Sequence, residues 1–407
     1  MDVLMGDPKD LGSSNQFGGN IDYNYAEKQT FVHGRGVFDK SHLIGLLEAF
    51  EYTLEVEPSD WIPPVDIVIA LGFDEQLGGK LGGAELSKVL QSKFGTDGFE
   101  YILSKDLAGV QEYSGAYIAP IGITTKQEVH YTLQFTLTGY LVTPLKSHNM
   151  FQIFNKLTEK LQQFPEQYYF THENPHAKLY QCAAPDLTFL SPDELKDLLA
   201  AFDDEEANKR VLKLMSMDFY TGNVFGTKQQ YTHIAGGSEF AVRPEFLQVE
   251  IKEWLPVESS VELRLESLKK ALKDIIGDLG LVVNGEIIKP EGLYGKCEVT
   301  VEATPKDEYS PVGRSWEGIA GIVKGLYEDT IFPTLPNSPS RLHIGPGISV
   351  VRTDASRYKY LSKNIYYFRP GLYDYFGTTV WNTRYERVSV QNLMHTVAFF
   401  HQLIHAP

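Results

Sequence analysis

His33-Gly34-Arg35-Gly36-Val37-Phe38-Asp39-Lys40 and, further along, Phe73-Asp74-Glu75-Gln76-Leu77-Gly78-Gly79 decide how the rest of this chain reads. Each joins a pair of glycines to acidic side chains, and glycine lets a backbone turn tightly where other residues are strained. Asp39 taken alone has two readings: a metal ligand, or the cap of a helix beginning near Lys40, since aspartate there satisfies unpaired helix amides. Glu75 likewise reads as a general base, if burial raises its carboxyl, or as a polar relic. Behind the first stretch, Leu43, Leu46, Leu47, Phe50 and Leu54 recur at helical spacing within His42–Leu54 and predict one buried face. Ahead of the second, Asp66-Ile67-Val68-Ile69-Ala70-Leu71-Gly72-Phe73 is an apolar run after Pro63-Pro64, expected to be a strand buried on both faces. A helix over Gly82–Phe94 and a short strand at Tyr101–Leu103 follow. Helices alternating with buried strands predict an α/β sheet with helices packed on it.

From about Thr124 the pattern changes. Val129–Thr138, Leu247–Ile251 and Cys297–Val301 alternate apolar with polar residues, as strands do in sheets with one wet face. Helical stretches fall between them at Phe151–Gln163, Asp193–Phe202 and Val261–Ile276. The acidic run Asp203-Asp204-Glu205-Glu206 reads as the solvated start of a helix. The outer pattern resumes near Pro311, with a helix at Trp316–Tyr327, a strand at Gly347–Val351 and a final helix at Val390–Ile404. The expected organisation is an α/β domain over 1–123 and 308–407, with an α+β domain inserted at 124–307.

Composition narrows the function. Of 407 residues, 43% are hydrophobic and 22% charged, ordinary for a globular protein of two or three domains. The net charge of −16 repels phosphate backbones and anionic membranes, so nucleic acid is not an expected partner. Cys182 and Cys297 are too few for a disulfide framework or a thiolate metal site and are expected to be buried free thiols. No apolar run reaches the length of a membrane span, and Met1–Pro8 lacks the pattern of a signal peptide. His401 and His405 stand one helical turn apart but lack the catalytic glutamate that would make them a metal pair.

The two opening motifs resemble those of the carboxypeptidase S and aminoacylase family of two-zinc peptidases. The first is similar to Gly-Arg-Gly-x-x-Asp-x-Lys, whose aspartate bridges the metals, and the second to Asp-Glu-Glu-x-Gly-Gly. Ile234–Glu245, Arg352-Thr353-Asp354-Ala355-Ser356-Arg357-Tyr358 and Asn364-Ile365-Tyr366-Tyr367-Phe368-Arg369-Pro370 are similar to further segments of fungal carboxypeptidase S. The resemblance implies a zinc-peptidase-type α/β catalytic domain with an inserted lid or dimerisation domain. It also implies zinc as cofactor, a peptide or N-acyl amino acid as substrate, and a homodimer formed through the lid.

Carried over residue by residue, the resemblance makes Asp39 the bridging ligand and Glu75 the general base, and Asp2 matches the aspartate that orients a histidine ligand. At three other ligand positions the chain has Gln76, Ser104 and Asn382, where the family has Glu, Asp and His. Tyr140, Ala241 and Arg357 fall at substrate-binding positions, the first two replacing a histidine and an asparagine. A zinc pair needs about five protein ligands around an activated water, and Lys105 beside it is electrostatically unfavourable. The expectation is therefore weak zinc binding or none, and impaired hydrolysis. Two alternatives stand beside it: an inactive pseudopeptidase acting by binding, and a repurposed enzyme using the cleft without metal. The chain as written is expected to be cytoplasmic, or vacuolar if an N-terminal segment precedes it.

Overall fold

The computed structural model describes residues 18–105, 109–137, 150–162, 168–237, 245–291, 295–336, 339–373 and 386–406. It is a mixed α/β structure that divides into two compact units. Unit one comprises Met1–Thr125, Phe170–Val211 and Asp307–Pro407, and unit two Lys126–Tyr169 and Leu212–Lys306.

In chain order, unit one begins with β1 (Asn20–Asn24), β2 (Gln29–His33), α1 (Val37–Val56), α2 (Gly83–Phe94), β3 (Ile102–Ser104), β4 (Val110–Tyr113) and β5 (Ala116–Thr125). Unit two follows with β6 (Gln127–Leu137) and α3 (Met150–Gln162). Unit one then adds α4 (Pro175–Ala183) and α5 (Pro192–Ala200), and α6 (Glu205–Met217) carries the chain across the boundary. Unit two continues with α7 (Phe219–Phe225), β7 (Lys228–Gly236), β8 (Phe246–Leu255), α8 (Val261–Ile276), β9 (Gly280–Val283), β10 (Glu286–Lys289) and β11 (Gly295–Ala303). Unit one closes with α9 (Arg314–Gly325), β12 (Leu342–Ser349), β13 (Ile365–Tyr367), β14 (Leu372–Tyr373), β15 (Arg387–Ser389) and α10 (Val390–His405).

The main sheet of unit one runs β14-β4-β5-β13-β3, with β12 pairing parallel to β5. All ten residues of β5 are buried, so it is the hub of the unit. A smaller sheet, β1-β2-β15, ties the start of α1 to the end of the chain. Segment 170–211, expected with the inserted domain, groups with unit one. The cause is local: Asn174 caps α4 by accepting the amides of His176 and Ala177, and buried His176 accepts the Ile348 amide at 2.7 Å, which docks α4 on β12. Asp204 accepts the amides of Glu206 and Ala207, so the acidic run does begin α6.

Unit two is one six-stranded sheet, β10-β9-β11-β6-β8-β7. The inward residues of β6, β8 and β11 form a core with Leu157 and Leu161 of α3 and Leu268, Leu272 and Ile275 of α8. Here the period-two alternation located the strands correctly to within a few residues.

Unit one departs from the sequence reading in three places. Helix α1 buries Gly45, Ala49 and Thr53; of the expected face, Leu46 and Phe50 pack against the core while Leu47 and Leu54 are exposed. Close approach explains this: a Cβ on Gly45 would stand 2.5 Å from the Thr396 methyl of α10, so the helices meet through small residues. The run Asp66–Phe73 is not a buried strand; it joins no strand pair among the described residues, and Ile67, Val68, Ile69, Leu71 and Phe73 are exposed. Of the two cysteines, only Cys297 is buried.

Candidate functional site

The site in unit one is assembled around the first turn of α1. Gly36 precedes the helix at φ 76°, a left-handed conformation that glycine adopts without strain. Asp39 therefore lies inside the helix, in its first turn, and does not cap it. That role falls to Glu386, whose carboxylate accepts the Phe38 amide at 3.0 Å while its own carbonyl accepts the Gly34 amide at 3.1 Å. Pairing of β15 with β2 brings Glu386 there. Burial pushes the Glu386 carboxyl up, against the pull of the Gly36 and Phe38 amides, and the Arg35 guanidinium stands 3.7 Å away.

The second motif folds as a 3₁₀ turn, Glu75–Leu77, closed by Gly78 and Gly79 at φ 92° and 62°. Asp74 fixes it by accepting the amides of Leu81 and Gly82, each at 2.7 Å. The Leu81 amide is the main reason its carboxyl lies below the usual range. A Cβ at Gly72, Gly79 or Gly83 would overlap the Asp354 carboxylate, so three glycines surround that one side chain. Arg357 donates to the Gly78 carbonyl, completing the clamp on the turn.

Between these two motifs stands Lys105. Its ammonium donates to Asp39 Oδ1 at 2.9 Å and to Glu75 Oε2 at 3.0 Å. The three side chains are 16%, 3% and 14% exposed, so the charges interact with little screening. Arg369, itself buried, lies 3.6 Å from Asp39, donates to the Phe38 carbonyl at 2.5 Å and stacks on the Phe38 ring at 4.1 Å. Gln76 donates to Glu75 at 3.4 Å. Ser104 hydrogen-bonds to Thr353 at 2.8 Å. His42 faces this cluster and is held well below its ordinary value, first by burial and then by the charges of Arg369 and Lys105.

Asp39, Glu75 and Gln76 thus come together as the sequence motifs require, with Ser104 next to Lys105 and Arg357 on the Glu75 turn. Asp2, Tyr140, Ala241 and Asn382 lie outside the described residues. Arg369 and Glu386 were not singled out from the sequence for any role here. Arg369 follows an apolar strand and Glu386 precedes the short strand Arg387–Ser389, and neither placement says where the charge points.

A pair of divalent cations does not fit this donor set. Lys105 already bonds Asp39, the carboxylate that would bridge them, and Glu75 at the general-base position, Arg369 adds a second positive charge against Asp39, and Gln76 is neutral. Among the described residues, no three His, Cys, Asp or Glu side chains group so as to hold a metal ion.

No protein-family model matches the chain. It is similar to carboxypeptidase S of Saccharomyces cerevisiae, 27% identical over 389 residues, covering 94% of this chain and 66% of that protein. It is also similar to an N-fatty-acyl-amino acid synthase/hydrolase of Mus musculus, 24% identical over 93% of this chain and 68% of the relative. The chain spans about two thirds of the length of these relatives. Among solved structures, it shares its fold with human carnosine dipeptidase 1 (TM-score 0.59, 11% identity, 99% of this chain and 78% of that one). An M20 family metallo-carboxypeptidase from Sulfolobus solfataricus gives a TM-score of 0.56 at 12% identity, over 99% of this chain and 82% of the other.

Proposed function

We propose that this chain, a carboxypeptidase S-like member of the M20 peptidase family, does not perform the metal-dependent hydrolysis of its relatives and acts by binding. In the family the ancestral reaction is cleavage of C-terminal peptide or N-acyl amino-acid amide bonds at a zinc pair. The observation that carries the reading is the Lys105 ammonium bonded to both Asp39 and Glu75. A general base must reach the proton that it removes, with the oxygen lone pair available. Glu75 instead directs an oxygen at an internal cation, and its other neighbour, Gln76, is a further donor. The cluster joins α1, the Glu75 turn and the end of β3, three segments that a bound metal pair would otherwise link. Lys105 supplies the counter-charge from within the chain.

Metal analysis after dialysis against trace zinc is expected to give well below two ions per chain, with no detectable turnover of dipeptides or N-acyl amino acids. Two tightly held ions, or turnover abolished by Glu75→Gln, would overturn the reading. Restoring Gln76→Glu, Ser104→Asp and Asn382→His together with Lys105→Ala is the constructive version. Single restorations should fail, because ligands of one site act as a unit.

A further inference from the structure

His401 and His405 end α10 in an arrangement that a neutral His405 ring does not satisfy. His405 Nδ1 stands 2.7 Å from the His401 carbonyl oxygen, and its Nε2 stands 3.1 Å from Oε1 of Glu57, the residue that ends α1. A carbonyl and a carboxylate both accept, whereas a neutral imidazole has one donor nitrogen and one acceptor. With a single ring proton, one of the two contacts sets lone pair against lone pair. A second proton therefore belongs to the pair, and imidazole holds a proton more tightly than a carboxylate does, so His405 is an imidazolium here.

The surroundings suit that charge. His405 lies in the last turn of α10, where unpaired helix carbonyls favour a cation. The Trp61 ring lies 4.9 Å away, an aromatic surface of the kind that cations prefer. The two ion-paired side chains are 27% and 29% exposed, so water only partly screens them. His401 completes the cluster, its ring 4.5 Å from His405 and 5.2 Å from Tyr52 of α1. Burial holds His401 below its ordinary value, and the His405 charge lowers it further against the pull of Glu57. Among the described residues only His405, of the two, forms an ion pair.

We propose that His405 and Glu57 form a pH-dependent latch, in which the imidazolium pins the end of α1 and the Trp61 turn to the last turn of α10, and deprotonation of His405 releases them. Glu57 opens the connection that leads to the Glu75 turn, so the latch holds that connection at its start. It does not depend on whether the Lys105 cluster binds metal. Stability from the latch is present where His405 is protonated and is lost as pH rises through the histidine range of about 5 to 8. Buried histidines act in the opposite sense: burial holds His42, His395 and His401 down, so each costs stability as pH falls. The latch is therefore read locally and by difference.

The experiment follows amide hydrogen exchange across Val56–Trp61 and Leu403–Ala406 in the intact chain, with the ring nitrogens of His405 observed by NMR. From about pH 6 to 8, protection at these amides, corrected for intrinsic exchange, is expected to fall about fivefold. Glu57→Gln, whose amide serves a neutral ring, should remove that dependence. Both ring nitrogens of His405 should carry protons at the acid end and only Nδ1 at the other. Protection that stays constant across this range, or an equal fall in Glu57→Gln, would overturn the proposal. If the variant misfolds, the ring nitrogens decide on the unaltered chain: a His405 that is neutral at both ends overturns the latch.

Discussion

Two lysines, one half-buried in unit one and one buried in unit two, show what an ammonium does to the structure around it. Lys105 in unit one meets two carboxylates at 2.9 and 3.0 Å, with full charges on both sides. Lys126 in unit two is completely buried and donates to the carbonyls of Asn223 and Gly226 at the end of α7. Carbonyl dipoles compensate a desolvated charge less than carboxylates do. Burial, helped by the neighbouring Lys228, accordingly pushes the Lys126 ammonium down to about 7. The first lysine holds charges that would repel one another. The second is itself strained by its surroundings.

The largest effect should come from Lys105→Met. Removing one member of a buried ion pair leaves its partners uncompensated and costs about 3–5 kcal/mol, here with two carboxylates left facing each other. Urea unfolding at neutral pH measures it, and a loss below about 1 kcal/mol would mean that the pairing contributes little. Lys126→Met should cost less, about 1–3 kcal/mol, because it leaves neutral carbonyls unserved. Its diagnostic is the pH profile. Above pH 7 the unfolded chain still binds the proton that the folded Lys126 has released, so stability rises with pH towards the ordinary lysine range, by at most about 1.4 kcal/mol per unit. The methionine variant should lose that rise. Glu386→Gln should act with the opposite sign and more weakly. Its raised carboxyl keeps a proton in the folded state that the unfolded chain gives up, so stability falls as pH rises from the glutamate range. Unfolding midpoints between about pH 4 and 7 should flatten in the variant. The smallest effect is expected from Glu75→Gln on hydrolysis: nothing. In an active relative, losing the base would cost about 10² to 10⁴ in rate.

Unit two was the more legible in sequence, because strands with one wet face write their alternation into the chain and α8 carries its own stripe. Unit one was legible in its motifs and misleading in its strands. Its central strand, Ala116–Thr125, contains Pro120 and Gly122, residues that argue against a central strand. Pro120 is accommodated against Gly347, where a Cβ would come within 2.7 Å. Conversely, Ile67–Ile69 has the composition of a central strand and, among the described residues, no neighbour to pair with. Sequence reports what a segment prefers, and a ladder needs a second segment. The site followed the same division. The Asp39 and Glu75 motifs foretold their convergence, and Lys105 was recognised as a charge unfavourable to metals. That Arg369 and Glu386 complete the cluster depends on the β13 and β15 pairings, which no local pattern encodes.

The glycines around Asp354 carry a consequence for how this chain can change. Gly72, Gly79 and Gly83 each keep clear the volume that one carboxylate fills, so none of the three can gain a side chain while Asp354 remains. Replacing Asp354 first would empty the space but release the turn that presents Glu75. Substitutions at these four positions, spread from 72 to 354, are therefore coupled through one carboxylate. A side chain on the turn, such as Gln76, can be exchanged without touching that carboxylate, while the glycines behind the turn cannot.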